Sequence, residues 1–349
     1  MKDIQQQITP VNQDILAQAK AYTATLAMPS RAMGELNTLS ERLCAIQSTL
    51  KPSVDKRELF IVAADHGIYD EGVAPYPQVV TMQMMQLMIS GRSSACIYAK
   101  HANAGVTLID IASKGDVVLP STLTSTFYDR KVARGSANFA KGPAMSREEA
   151  VESIKRCYQI ASQHIKERGL NVITIGEMGI ANTTPSAAIT AVLTGLEPEA
   201  VTGYGSGVDK DGWQRKVNAI KAGLAMNKPN KDDAIGVLAA VGGHEIGGMA
   251  GLVLAAAAHK VPVVLDGYIS TAAAALAAMI APAAVDYMIA GHESEEQGHK
   301  HLLAMLGLKP LLRLGMRLGE GTGAVCALPL LELAAATIGE IATFADLGM

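Results

Sequence analysis

From about residue 57 the chain repeats one phrase: a short run of consecutive apolar residues, a glycine or polar break, then a stretch with helical spacing. Six runs read as strands, at residues 58–64, 106–111, 171–175, 235–241, 261–266 and 285–290. Most are apolar throughout, the pattern of parallel strands covered on both faces. Helical patterns lie between them, over residues 147–167, 186–193, 214–226 and 271–280. Right-handed crossovers linking such units build a parallel sheet, so the predicted class is α/β, Rossmann-like, flanked by helices. The ends differ. Residues 13–26 and 34–50 read as two helices around Pro29-Ser30, and the chain after Gly323 is again helical and rich in Ala and Leu. A small helical domain from residues 1–55 and 322–349 is therefore expected beside a large α/β domain over 56–321 that holds the active site.

Composition narrows the class. Of 349 residues, 49% are hydrophobic and 18% charged, with formal net charge −3, which excludes a disordered chain and gives no basic footprint for nucleic acid. The apolar stretches are built from Ala, Gly and Met and broken by Pro282, Ser270 or His259-Lys260, so none is expected to be a lipid-facing span of ~20 residues. The N-terminal Met-Lys-Asp-Ile-Gln-Gln-Gln lacks the apolar core of a signal peptide. Cys44, Cys96, Cys157 and Cys326 are isolated, which argues against a disulfide scaffold or zinc ribbon. The expectation is a soluble cytoplasmic protein. With 33 glycines and only 4% aromatics, it suits a ligand held by backbone atoms at close approach.

Ligands of a parallel sheet bind beyond the C-terminal strand ends. Here those ends carry Gly176-Glu177-Met178-Gly179, Gly242-Gly243-His244-Glu245-Ile246-Gly247-Gly248 and Asp266-Gly267. A separate loop holds Gly203-Tyr204-Gly205-Ser206-Gly207, with Lys216 on the helix behind it. Each cluster reads either as a tight turn or as backbone N–H groups that cradle a phosphate. Neither GxGxxG nor GxxxxGK[ST] occurs in strand–turn–helix context, which disfavours NAD and ATP sites.

His244-Glu245 begins like HExxH, but residue 248 is Gly and the second zinc ligand is missing. His292, His299 and His301 with Glu295 and Glu296 look metal-like, yet residues 294–303 read as an exposed polar helix. Asp65-His66 could bind a metal, or could cap a turn and pack. Glu320 lies between Gly319 and Gly321, open to close approach on both sides, with Arg317 nearby as an anion partner; an ordinary glutamate at a helix start fits equally well.

Taken together, Ala63-Ala64-Asp65-His66-Gly67, Gly176-Glu177-Met178-Gly179-Ile180-Ala181-Asn182-Thr183-Thr184, Leu265-Asp266-Gly267 and Met316-Arg317-Leu318-Gly319-Glu320-Gly321 resemble one family, the nicotinate-nucleotide–dimethylbenzimidazole phosphoribosyltransferases. Val132-Ala133-Arg134-Gly135-Ser136 and Gly142-Pro143-Ala144-Met145-Ser146 support the match, which runs in order over nearly the whole chain. The resemblance implies transfer of 5-phosphoribosyl from nicotinate mononucleotide to 5,6-dimethylbenzimidazole or a related base (another benzimidazole, a purine or a phenol), giving α-ribazole 5′-phosphate and nicotinate with inversion at C1′. That step belongs to assembly of the cobalamin lower ligand. It implies Glu320 as general base, and no metal or other cofactor. It puts Glu177 on the ribose hydroxyls, and Gly179, Gly203, Gly205, Lys216, Ser294 and Arg317 around the phosphate. Asp266 and Gly267 would line the nucleotide cleft beside Met178. Tyr76, Pro77, Met84 and Leu318 would wall an apolar acceptor slot, since Tyr76 and Met84 stand where a known branch of the family has polar residues. A homodimer is implied as well, with small-molecule partners and neither nucleic acid nor membrane. Two rivals stand beside this reading: a metal-dependent hydrolase using Asp65 and His66, and a non-catalytic nucleotide sensor.

Overall fold

The computed structural model describes residues 1–121 and 123–349. Among them six strands form one parallel sheet: β1 (Arg57–Ala64), β2 (Ala104–Ala112), β3 (Thr126–Asp129), β4 (Val172–Met178), β5 (Val263–Leu265) and β6 (Met288–Ala290). Their order is β3-β2-β1-β4-β5-β6. The winding reverses between β1 and β4, where Leu59 lies opposite Thr174 and Ile61 opposite Gly176. In doubly wound sheets the carboxyl ends of the strands open a crevice at that reversal.

All eight residues of β1 are buried, because alternate side chains enter two different cores. Phe60, Val62 and Ala64 join helices Arg147–Arg168, His244–Ala258 and Tyr268–Ile280 on one face. Leu59, Ile61 and Ala63 join Glu35–Gln47, Val80–Ile89, Ser94–His101 and Thr322–Gly339 on the other. The last helix has a mean hydropathy of 1.6 and the length to cross a bilayer, but Ala324, Val325, Ala327, Leu328 and Leu331 are buried in the second core. The chain ends meet: Ala19, Cys44 and Ile338 share a small apolar cluster, and Leu26 pairs with Thr343.

Two expectations are corrected. Residues 235–241, read as a strand, lie in the helix Ala234–Val241. Its apolar run is buried almost all round, so it has no polar face to reveal helical periodicity. The signal that separates the two is Asp233, whose carboxylate accepts the Gly236 N–H at 3.0 Å as an N-cap. The Gly247-Gly248 cluster is likewise not a ligand loop, for it lies inside helix His244–Ala258. There a Cβ on Gly248 would stand 2.8 Å from Cys157 Sγ, and one on Gly251 would overlap the Ile154 carbonyl. The glycines let this helix lie directly on Arg147–Arg168. The short edge strand β3 escaped the sequence pattern because its residues are only half-buried or exposed.

Gly251→Ala is therefore expected to lower stability by about 1–3 kcal/mol through overpacking. Denaturant unfolding should show an earlier midpoint with an unchanged slope.

Candidate active site

A cleft of ≈ 310 Å³ opens beyond the carboxyl ends of β1, β4, β5 and β6, at the winding reversal. Its acidic end centres on Glu320. Gly319, Glu320 and Gly321 all have positive φ (+86°, +62° and +87°), and Ala181, on the facing wall, has +80°. Left-handed backbone at two non-glycine residues costs free energy and persists only where surroundings impose it. The Asp266 carboxylate supplies the constraint at Glu320. It accepts the N–H groups of Gly321 at 3.0 Å, Gly323 at 2.7 Å and Ala324 at 3.2 Å. The turn then settles onto β4, where a Cβ on Gly176 would overlap the Glu320 carbonyl.

Glu177, at the end of β4, accepts from the Asn182 amide and lies beneath the same turn. Burial pushes its carboxyl up to about 8, opposed by Asn182 and reinforced by the charges of Asp266 and Glu245. Burial likewise pushes Glu320 up to about 7, against the Ala95 N–H, with Asp266 adding to the rise. Glu320 Oε2 is buried without a hydrogen-bond partner among the described residues. A carboxyl in that state is poised to exchange a proton near neutral pH.

The opposite end gathers donors. Helix Thr183–Thr194 begins at the cleft, and the fully buried Lys216, on helix Lys210–Asn227, donates to Thr183 Oγ1 at 2.8 Å and the Gly203 carbonyl at 3.0 Å. Burial lowers Lys216 to about 8, with Glu296 opposing the fall. The 201–205 segment is strapped in place: Tyr268 donates to the Val201 carbonyl, while Trp213 and Gln297 donate to that of Thr202. Arg317 is exposed and leans over Gly207. A helix N-terminus and a buried lysine beside the Gly205 N–H together form an anion cradle.

Of the residues singled out from sequence, Glu177, Met178, Gly179, Gly205, Lys216, Asp266, Gly267, Ser294, Arg317 and Glu320 line this one cleft. Tyr76, Met84 and Leu318 line its outer, apolar wall, Tyr76 half-exposed and Leu318 56% exposed. Gly203 contributes through its carbonyl, and Pro77 is exposed outside the lining.

The 294–303 segment corrects an expectation. Its helix spans only His299–Leu306, and His292, Glu296 and His299 are buried. His299 Nδ1 accepts the Ser294 N–H at 3.0 Å and its Nε2 meets Thr271 Oγ1 at 2.9 Å, which fixes a neutral ring; burial lowers it to about 3. The polar density of this segment does not mark a surface, because these polar groups serve one another inside the fold. His292 and Glu296, along with Asn182 and Thr183, also line the cleft, although the sequence did not assign them to it. Asn182 and Thr183 lie in the motif that carries the family resemblance, whereas Glu296 lies in the polar cluster that looked metal-like or surface-exposed.

Asp65 and His66 do not open onto a metal centre. Asp65 accepts the Lys114 N–H at 2.8 Å, and His66 lies 2.9 Å from Glu245, both fully buried behind Gly179. Among the described residues, no three His, Cys, Asp or Glu side chains converge as a metal site.

A phosphoribosyltransferase family model matches residues 8–349. The nicotinate-nucleotide–dimethylbenzimidazole phosphoribosyltransferase of Desulforudis audaxviator is 44% identical, over 99% of this chain and 96% of its own length. That of Desulforamulus reducens is 45% identical, over 97% and 95%. The crystal structure of CobT from Thermus thermophilus superposes with a TM-score of 0.91 at 42% identity, covering 96% of this chain and 99% of that one.

The acidic end carries a consequence for stability. Because the folded-state pKa of Glu177 is about 8, above its ordinary 4.5, the folded chain holds a proton that the unfolded chain releases in between. Stability from this group is complete below the ordinary pKa and lost as pH rises through about 8. Glu177→Gln should therefore stabilise the protein by a few kcal/mol above pH 8, each pH unit between the two values being worth about 1.4 kcal/mol, and little near pH 4.5. Urea unfolding at both pH values reads the difference.

Proposed function

Because this chain belongs to the nicotinate-nucleotide–dimethylbenzimidazole phosphoribosyltransferase family, we propose that it transfers 5-phosphoribosyl from nicotinate mononucleotide to 5,6-dimethylbenzimidazole or a related base, with Glu320 as general base. The observation that carries this is Glu320 itself: a neutral-range carboxyl on an imposed left-handed turn, in one cleft with an apolar wall and an anion cradle.

The chemistry asks for little else. The lone-pair nitrogen of the acceptor bonds to C1′, and the C1′–N bond to nicotinate breaks with its electron pair moving onto the pyridine nitrogen. That nitrogen was positively charged, so the leaving group needs no acid. The proton on the acceptor's other nitrogen passes to Glu320, and attack opposite the departing ring inverts C1′. Positive charge developing at C1′ in the transition state would fall beside Asp266 and the ionised Glu320, which favours it electrostatically. Lys216, Gly205 and the mouth of helix Thr183–Thr194 would take the 5′-phosphate, with Ser294, Gly267 and Arg317 around it. Holding both rings in line is the larger part of the rate enhancement. The reading also carries over a homodimer from the family.

Glu320→Gln should reduce acceptor-dependent nicotinate release at least ~100-fold, the lower end for a general base. In the wild type, kcat/KM should fall as pH drops through about 7, since the base must be ionised, and the variant should lose that limb. An unaffected variant would move the base elsewhere.

The acceptor slot is apolar, so 5,6-dimethylbenzimidazole should outcompete adenine and phenol when all three are offered together. Product identity by mass spectrometry decides it, and an adenine-only product would sink the apolar-slot assignment.

A further inference from the structure

The cradle that would receive the phosphate already contains an anion belonging to the protein. Glu296 is buried, and its Oε1 accepts the Gly205 N–H at 2.7 Å. Its Oε2 is buried, lacks a hydrogen-bond partner among the described residues, and sits so close to Gly203 that a Cβ there would overlap it. Lys216 reaches the same two glycines from the other side, donating to the Gly203 carbonyl and standing 3.1 Å from where a Gly205 Cβ would be. The Glu296 backbone is held by Ser294 Oγ on its N–H and by the His299 N–H on its carbonyl, so only the side chain has freedom to leave.

We propose that Glu296 is an internal stand-in for the substrate's phosphate, occupying the Gly205 donor beside Lys216 until a phosphate ester displaces it. This rests on the reading that the donor substrate binds through its 5′-phosphate. The consequence is selectivity. A carboxylate and a phosphate dianion cannot share one buried lysine without strong repulsion, so a small free anion gains little by displacing Glu296. A nucleotide brings further contacts from its ribose and ring, and can offset the cost of displacement. The same carboxylate gives buried Lys216 a counter-charge while no phosphate is bound, consistent with its opposing the fall in the lysine's pKa.

The test is isothermal titration of the full-length protein with inorganic phosphate at pH 6.5, where Lys216 is charged, for wild type, Glu296→Gln and Glu296→Ala. Both variants should bind phosphate at least tenfold more tightly. Gln removes the charge while keeping its shape, and Ala frees the Gly205 N–H. Nicotinate riboside, which lacks the phosphate, should bind all three proteins alike. If Glu296 only braced the Gly203–Gly205 loop, Gln would leave phosphate affinity unchanged and Ala would weaken it. Either result overturns the proposal, as does equal tightening of the riboside. Thermal melts identify a variant that does not fold, and the near-isosteric Gln then carries the comparison. Wild-type turnover is assayed alongside: its absence with nicotinate mononucleotide and any benzimidazole counts against the proposed reaction, whereas the phosphate affinities judge Glu296 alone.

Discussion

Helix Thr322–Gly339 starts at a glycine and has no capping side chain of its own. Its first amides are buried at the edge of the sheet, where an unmet N–H group costs about 1–3 kcal/mol. Asp266, arriving from the end of β5, meets three backbone donors in this region at once. That single carboxylate joins a strand end, a helix start and the left-handed turn that carries Glu320. It also fixes where the turn can lie, because the turn must pass over Gly176 and Gly321 must fit against Leu59. The glycines around Glu320 are the steric counterpart of the Asp266 bonds: one set of residues pulls the turn down, and the other leaves room for it.

A cost comes with this arrangement. Asp266, Glu177 and Glu320 are three carboxyl groups in one largely buried space, with His292, 3.5 Å from Asp266, as the nearby basic side chain. Burial and mutual repulsion raise both glutamates into the range where they take up protons at neutral pH. A core selected for stability alone would replace them with apolar groups. They are tolerable because the surrounding sheet and its two layers of helices are densely apolar, and because the pyridinium ring of the proposed donor would relieve the repulsion on binding.

The sequence made the sheet largely legible because five strands are continuous apolar runs ended by glycine or polar residues. It failed at Ala234–Val241 for the same reason, since a helix buried all round and a strand buried on both faces share one pattern. The cleft was legible where chemistry sits in contiguous strings, as around Glu177 and Glu320. It was illegible where partners converge from distant segments. Glu296 meets Gly205 across 91 residues, and His66 meets Glu245 across a longer span, so neither contact leaves a local spacing to read. Polar density around Glu296 pointed to the surface, whereas the structure satisfies that polarity internally through Ser294, His299 and Thr271.

The two ends of the cleft are also built to different tolerances. The anion end is the 201–205 segment, tied by Tyr268, Trp213 and Gln297, with the buried Lys216 behind it. Little there can move without breaking several hydrogen bonds. The outer wall is made of Met84, Tyr76 and Leu318, which are partly or largely exposed and hold the cleft only by apolar contact. Methionine and leucine can repack around flat rings of different outline at small cost. On the proposed assignment, discrimination therefore falls on the phosphoribosyl donor, where geometry is fixed, and the acceptor end stays permissive. Glu320 sits on the turn that Asp266 holds, so on this assignment the base keeps its position against C1′ whichever ring the wall accommodates.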